Sequence, residues 1–403
     1  MLRDQGQPHT PYFAALNRLL RAEGPGRPVL LIDLERLERN LERVRATFPR
    51  HAALRIVNKS LPSPKLLEHV LKASGTRRQM VFHLPFLLLT ARLFPEADVL
   101  LGKPLPARAV EGFYRHLPPT GFDPGRQLQW LVDTAERLGQ YLALARGLGV
   151  RLRVNLEIDV GLHRGGFPEP AALAPALRLI RENPERLEFA GFMGYDAHVG
   201  KLPGVLEKPE VSLAKSQAAY RAFAGYLRSQ FPDLWSPGLT FNGAGSPTFR
   251  LHGEGSPLND AALGSALLKP LDFDLPLLAD LEPAVFIATP VLKVLEGTTL
   301  PGLERFAPLL SCLNPNWART HFIYGGRWPA RPVSPAGLAE NPLYGKSFNQ
   351  ATFNGSGRTA LEPDDYVFLR PYESESVLLQ FGDLRVVREG RIVATWPVFS
   401  EEA

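Results

Sequence analysis

Cysteine is nearly missing: the 403-residue chain has one, Cys312. A single thiol excludes an internal disulfide framework and any multi-cysteine zinc site within one chain, and it fits a reducing cytoplasm. No apolar run reaches the roughly 18 residues that a membrane span needs. The opening Met-Leu-Arg-Asp-Gln-Gly-Gln-Pro-His has no apolar stretch, so no signal peptide is expected. No basic block interleaved with aromatics occurs, which speaks against nucleic acid as a partner. The net charge of +5 comes from arginines scattered among acids, a balance that suits small anions such as phosphates and carboxylates. There is no internal repeat and no low-complexity tract. No Gly-x-Gly-x-x-Gly follows the first predicted strand, which counts against a dinucleotide-binding sheet.

What is present is ordinary for a globular enzyme: 45% hydrophobic and 22% charged residues, with length for about two domains. Residues 11–23 read as one amphipathic helix begun by Pro11 and stopped by Gly24-Pro25-Gly26. From residue 28 short apolar strands alternate with helical stretches. The predicted strands are 28–33, 54–58, 79–84, 98–102, 128–133, 152–159, 187–195 and 238–242. In the helix predicted over 34–48, Asp33 serves as N-cap while Leu34, Leu37, Leu41, Val44 and Phe48 form one apolar stripe. Eight such alternations suit a (β/α)₈ TIM-type barrel, although a doubly wound sheet alternates similarly. After residue 275 the segments become short, β-rich and separated by Gly/Pro turns, with hairpin chemistry at Asp383 and Glu389-Gly390. The expected organisation is an N-terminal helical segment (1–27) able to pack on either domain, a barrel (28–275) and a C-terminal mainly β domain (276–403).

Barrel enzymes place their chemistry at the C-terminal ends of the strands. The strand of Leu54-Arg-Ile-Val-Asn-Lys59-Ser60-Leu-Pro62 delivers an amine there, able to form a Schiff base with an aldehyde cofactor or simply to cap a strand. Later strand ends carry His83, then Gly102-Lys103-Pro104, then Glu157-Ile-Asp159-Val-Gly161-Leu-His163-Arg164-Gly165-Gly166. They are followed by Gly194-Tyr195-Asp196-Ala-His198 and Asn242-Gly243-Ala-Gly245-Ser246-Pro-Thr248. The last of these reads as a phosphate cradle or a plain turn: alternate glycines let backbone N–H groups close on an anion, and Ser246 and Thr248 add hydroxyls. Gly264-Ser265 can complete it. Arg164 can hold a phenolate or a carboxylate, or pair with Asp159. His198 is a candidate acid/base or a structural histidine, and His83 carries the same ambiguity. An amine, a phosphate cradle and an arginine near one barrel mouth point to pyridoxal 5′-phosphate.

With these motifs the chain resembles the fold type III pyridoxal-phosphate enzymes. More narrowly it resembles the D-threonine aldolase and D-serine dehydratase-like group, relatives of alanine racemase. The resemblance runs through Pro28–Asp33, the Lys59 segment, Glu157–Gly166, Gly194–His198, Asn242–Thr248, Asn259–Pro270 and the closing Leu361–Phe399. It implies that Lys59 holds the cofactor, Arg164 contacts the pyridoxal ring oxygen, Tyr195 lies close to the ring, and Gly243–Ser246 binds phosphate. It also implies a homodimer with active sites near the interface. Metal-dependent members of the group carry a His-x-Cys pair where this chain has Glu373-Ser374-Glu375. On a strand the two glutamates would point the same way and could take a hard cation, but not zinc with His/Cys ligands. The expected activity is a lyase on D-configured 3-hydroxy amino acids, with His198 as acid/base. The alternatives are an amino-acid racemase, needing a second base besides Lys59, and a non-catalytic pyridoxal-phosphate carrier.

Overall fold

The barrel wall is built from eight short strands whose residues are mostly apolar and buried on both faces, as a parallel sheet covered by helices requires. In this computed structural model, which describes residues 2–199, 207–299, 302, 304, 313–341, 344 and 347–400, Cys312 lies outside the described residues. The strands of the whole chain are numbered in order. β1 (Val29–Asp33) is followed by the eight barrel strands. These are β2 (Ala53–Val57), β3 (Arg78–Val81), β4 (Asp98–Leu101), β5 (Leu128–Val132), β6 (Leu152–Glu157), β7 (Leu187–Gly194), β8 (Thr240–Gly243) and β9 (Asp260–Leu263). β2 to β9 form a closed barrel in sequence order, every pairing parallel, with β9 returning to β2.

The expected barrel is therefore present, but its register in the sequence is shifted by one strand. Val29–Asp33, expected to open it, pairs elsewhere, and the barrel is completed by Asp260–Leu263, which was not predicted. Lys59 thus follows the first barrel strand, and the glycine loop at 243–246 follows the seventh rather than the last.

A charged cluster sits inside the barrel toward the strand N-termini. The fully buried guanidinium of Arg55 donates from Nε to Asp260 Oδ1 (2.8 Å) and from Nη1 to Asp98 Oδ1 (3.1 Å). Arg78 and Asn242 also donate to Asp260, each at 2.6 Å. Burial alone would raise the pKa of Asp260, but Arg55, Arg78 and Asn242 together outweigh it and hold the carboxyl below its usual value. Outside the wall, helices present buried leucines in i, i+3/i+4 spacing, as in Pro64–Ser74 with Leu66, Leu67, Val70 and Leu71. Each fully buried leucine contributes roughly 1.5–3 kcal/mol.

The chain divides into two compact units. The barrel unit comprises residues 41–267, 275–281 and 399–403; the second comprises 1–40, 268–274 and 282–398, so both differ from the limits read at 28 and 275. The second unit holds a nine-stranded sheet. Its strands after β9 are β10 (Val285–Glu296), β11 (Arg319–Tyr324), β12 (Ala330–Ser334), β13 (Ala339–Glu340), β14 (Gln350–Gly355), β15 (Tyr366–Pro371), β16 (Leu384–Arg388) and β17 (Arg391–Trp396). Their order is β13-β14-β11-β10-β1-β16-β17, with β15 joining β10 to β12. β1 lies inside this sheet, antiparallel to β10 and parallel to β16. The helix Pro11–Glu23 packs Leu16, Leu19 and Leu20 against Val29, Leu31, Phe286 and Phe368, which settles where the N-terminal segment goes. Asp33 caps the helix Leu34–Thr47 as expected, accepting from Arg36 N–H at 2.9 Å. Glu389 and Gly390, both with positive φ, turn β16 into β17. No helix of the described residues is long and apolar enough to cross a membrane.

Candidate active site

Lys59 sits on a single 3₁₀ turn, Asn58–Ser60, directly after β2. The turn is held by Leu61 N–H donating to Asn58 O and by the buried Asn58 amide reaching Thr90 Oγ1. Lys59 itself is half-buried, with Nζ 4.5 Å from the centre of the Phe82 ring, at the end of β3.

Ser60, the next residue, ties this turn to the end of β9. The Ser265 hydroxyl donates to Ser60 Oγ at 2.9 Å, and Gly264 lies so close that a Cβ there would come within 2.9 Å of Val57 O and 2.8 Å of Ser60 Cβ. Only glycine fits at 264. Ser246, from the loop after β8, joins the same cluster: its Oγ accepts from Gly264 N–H (3.3 Å) and Ala266 N–H (3.0 Å). All three serines are buried. Each hydroxyl has one hydrogen to give. Ser265 spends its own on Ser60, so those of Ser60 and Ser246 remain to donate, beside an amine one residue away.

The loop after β8 continues this line of contacts. Gly245 lies under the Tyr195 ring, where a Cβ would come within 2.7 Å of Cε2, and Tyr195 follows β7. Arg164, after β6, places its guanidinium carbon 5.0 Å from the centre of that ring. It makes no ion pair with any described residue. Asp159, the partner considered from sequence, instead accepts from the N–H groups of Gly161 (2.9 Å) and His163 (3.0 Å) and pairs with the His163 ring.

Seven expected site residues thus form one connected line across five strand ends: Lys59, Gly264, Ser265, Ser246, Gly245, Tyr195 and Arg164. Four other candidates go elsewhere. Asn242 spends its amide on Asp260 inside the barrel, and Gly243 is packed in the wall against Gly194 O. His198 places Nε2 3.2 Å from Ser216 Oγ, on the helix Pro209–Gln230, and packs against Gly161. Burial depresses the pKa of His198, with Asp196 opposing. His83 precedes the helix Leu84–Leu93 with its ring edge-on to Phe86.

Glu157 lies near Arg164 and Gly165 and was not among the residues expected at the site. It is the last residue of β6, half-buried, and burial pushes its pKa up to about 7, reinforced by Asp133 and opposed by Arg164. The signal was its place at a strand end, inside the run already noted around Arg164. The second unit corrects another expectation. β15 ends at Pro371, so Glu373 and Glu375 lie in a turn and not on a strand. The Glu373 carboxylate accepts from the N–H groups of Glu375, Ser376 (3.0 Å) and Val377 (3.1 Å) and from the Ser376 hydroxyl (2.6 Å). Among the described residues no group of three or more His, Cys, Asp or Glu side chains is arranged to hold a metal ion.

An amine beside buried hydroxyls at the mouth of a closed parallel barrel defines the class of protein, and sequence comparison gives the family. The family described as "Alanine racemase, N-terminal domain" matches residues 32–269, and the chain belongs to it. This is the barrel of the fold type III pyridoxal-phosphate enzymes, and pyridoxal phosphate is the cofactor the family implies. The fold is similar to that of a D-threonine aldolase from Filomicrobium marinum (TM-score 0.71, 18% identity, 94% of this chain and 98% of that one). It is also similar to a D-threo-3-hydroxyaspartate dehydratase from Delftia sp. HT23 (0.69, 16%, 92% and 97%). An alanine racemase from Bacillus anthracis is a third such structure (0.67, 15%, 92% and 97%). At these identities the likeness is one of fold. No curated protein matches the chain in sequence.

Proposed function

We propose that the chain is a pyridoxal-phosphate-dependent lyase acting on D-configured 3-hydroxy amino acids, by retro-aldol cleavage or by dehydration. The observation that carries the cofactor assignment is the unbroken line of contacts from Lys59 to Arg164. Its donor set fits the cofactor: a primary amine for the aldehyde, two buried hydroxyl hydrogens and glycine backbone for the phosphate, and a guanidinium for the ring oxygen. Bound there, the cofactor would supply an electron sink that lets a bond at the amino acid's α-carbon break.

The chain's own residues would divide the rest of the work. Lys59 would hold the aldehyde carbon and take or give a proton at the substrate. Ser60 and Ser246 would hold the phosphate, with Ser265 fixing Ser60, and Tyr195 and Arg164 would bracket the ring. Glu157, about half protonated near pH 7, can hold or release a proton under working conditions. That moves the acid/base role away from His198, whose Nε2 faces Ser216; His198 would instead steady the loop that carries Arg164. A divalent metal at Glu373 would have to displace four hydrogen bonds, so the reading does not rely on one.

The lyase half rests on the motif resemblance and on two fold relatives whose names describe an aldolase and a dehydratase of D-amino acids. The racemase reading draws on the family's name and on the third relative. Single enantiomers of 3-hydroxy amino acids separate the two. Release of aldehyde with glycine, or of keto acid with ammonia, is expected. Inversion of configuration without either would transfer the assignment to a racemase.

A further inference from the structure

Directly after Tyr195 begins a buried polar chain that is separate from the charged cluster of Arg55 and Asp260. Asp196, directly after Tyr195, is 2% exposed. Its Oδ1 accepts from the Thr248 hydroxyl and its Oδ2 pairs with His252 Nε2, both at 2.7 Å. A carboxylate only accepts, so Nε2 carries the hydrogen. Nδ1 then faces Ser256 Oγ at 3.0 Å, and that oxygen accepts in turn from Leu258 N–H. Thr248 is fully buried and His252 nearly so.

These bonds join two loops already in contact at the site. Tyr195 and Asp196 are consecutive residues after β7. Gly245 and Thr248 are the two ends of one turn after β8, closed by Thr248 N–H donating to Gly245 O at 3.0 Å. The Tyr195 ring rests on Gly245 while the neighbouring carboxylate grips Thr248. The loops are therefore clamped at two points about a turn apart, and Ser246 lies between those points. A buried carboxylate is costly unless every lone pair is used, and a fully satisfied network fixes one geometry where apolar packing would tolerate several.

We propose that Asp196, gripped by Thr248 and backed by His252, is a positioning residue that sets the aromatic seat of Tyr195 in register with the hydroxyl of Ser246. The inference rests on the cofactor reading above. The Thr248 hydroxyl, expected from sequence in the phosphate cradle, is instead buried and spent on Asp196, so loosening the clamp should misplace the cofactor without removing any group that would touch it.

The test uses the full chain freed of cofactor, with pyridoxal phosphate as the probe. Its dissociation constant is titrated by tryptophan fluorescence, and the visible circular dichroism of the bound form reports orientation. Thr248→Val keeps shape and removes one hydroxyl; it should weaken binding about tenfold and diminish the dichroic band. Thr248→Ser, which restores the hydroxyl, should return both to near the wild-type values. Asp196→Asn should behave like Thr248→Val or worse, and if it does not fold, the threonine pair still decides. Unchanged affinity and dichroism in Thr248→Val, even with a lowered melting temperature, would reduce the network to a structural tie and overturn the proposal. Failure of the wild-type chain to bind pyridoxal phosphate would be a different failure, taking the cofactor reading down together with this inference.

Discussion

The two units differ in what the polar groups at their strand ends are bonded to. In the barrel unit, strand ends deliver an amine, two hydroxyl hydrogens, a guanidinium that makes no ion pair with any described residue and a carboxyl pushed up to about 7 toward one mouth. In the sheet unit, the charged groups flanking and ending β15 are bonded within the unit. Glu373 caps its own turn, and Asp365 takes Asn17, Arg21 and Glu362 N–H. Arg370 closes on Lys269 O and Asp274. A side chain whose hydrogen bonds are made inside the fold stabilises it; a hydroxyl hydrogen still to be donated at a strand end is available to a ligand. The contrast is in keeping with the proposed site in the barrel.

Removing charge partners should sharpen it. Arg55→Ala leaves Asp260 buried without its main cation and should destabilise the barrel unit by about 3–5 kcal/mol. Arg370→Ala, whose partner Asp274 is half exposed, should cost the sheet unit less, about 2 kcal/mol. Hydrogen exchange read separately for each unit gives both values, and equal losses would break the comparison.

Titration should act with opposite signs. Glu157 has a folded pKa near 7 against an unfolded value near 4.5, so between those limits the folded state holds a proton that the unfolded state releases. Its ionisation therefore costs stability as pH rises from about 4.5 to 7. Glu157→Gln should stabilise the cofactor-free barrel at pH 8 by on the order of 2 kcal/mol and have no such effect at pH 4. His321, buried in the sheet, is lowered to about 4 by burial and by Arg319, so the unfolded state takes the proton first. The sheet should lose on the order of 2 kcal/mol as pH falls from about 6.5 to 4, a loss that His321→Gln should remove. Exchange protection followed against pH in each unit checks both signs. The smallest effect is expected from Glu373→Ala, which loses a turn cap worth about 1 kcal/mol; a change in its response to added Mn²⁺ would instead restore a metal role there.

Much of this was legible in the sequence, because seven of the eight barrel strands are apolar runs between turn signals. Val29–Asp33 was placed in the wrong sheet because a five-residue strand buried on both faces looks the same in a parallel barrel and in the middle of a mixed sheet. Asp260–Leu263 escaped because Asp-Ala-Ala-Leu has little strand propensity; its pairing with β2 and β8, and not its composition, makes it a strand. Lys59, Tyr195, Arg164 and the serine–glycine pairs were visible because the residue types are unusual where they stand. Glu157 was not, since a carboxylate at a strand end reads as solvated until burial is known. Asn242 and His198 have suitable chemistry, but the Asn242 amide is taken by Asp260 and His198 Nε2 by Ser216, leaving only the buried Nδ1 of His198 without a partner among the described residues, facts of three-dimensional packing alone.

The central claim, that Lys59 anchors pyridoxal phosphate, is tested most directly by reducing the purified, cofactor-loaded chain with borohydride and mapping its peptides. A pyridoxyl group on the peptide carrying Lys59, absent from Lys59→Ala, is the predicted result. A cofactor that never becomes fixed by reduction, or that is fixed on another lysine, would contradict it.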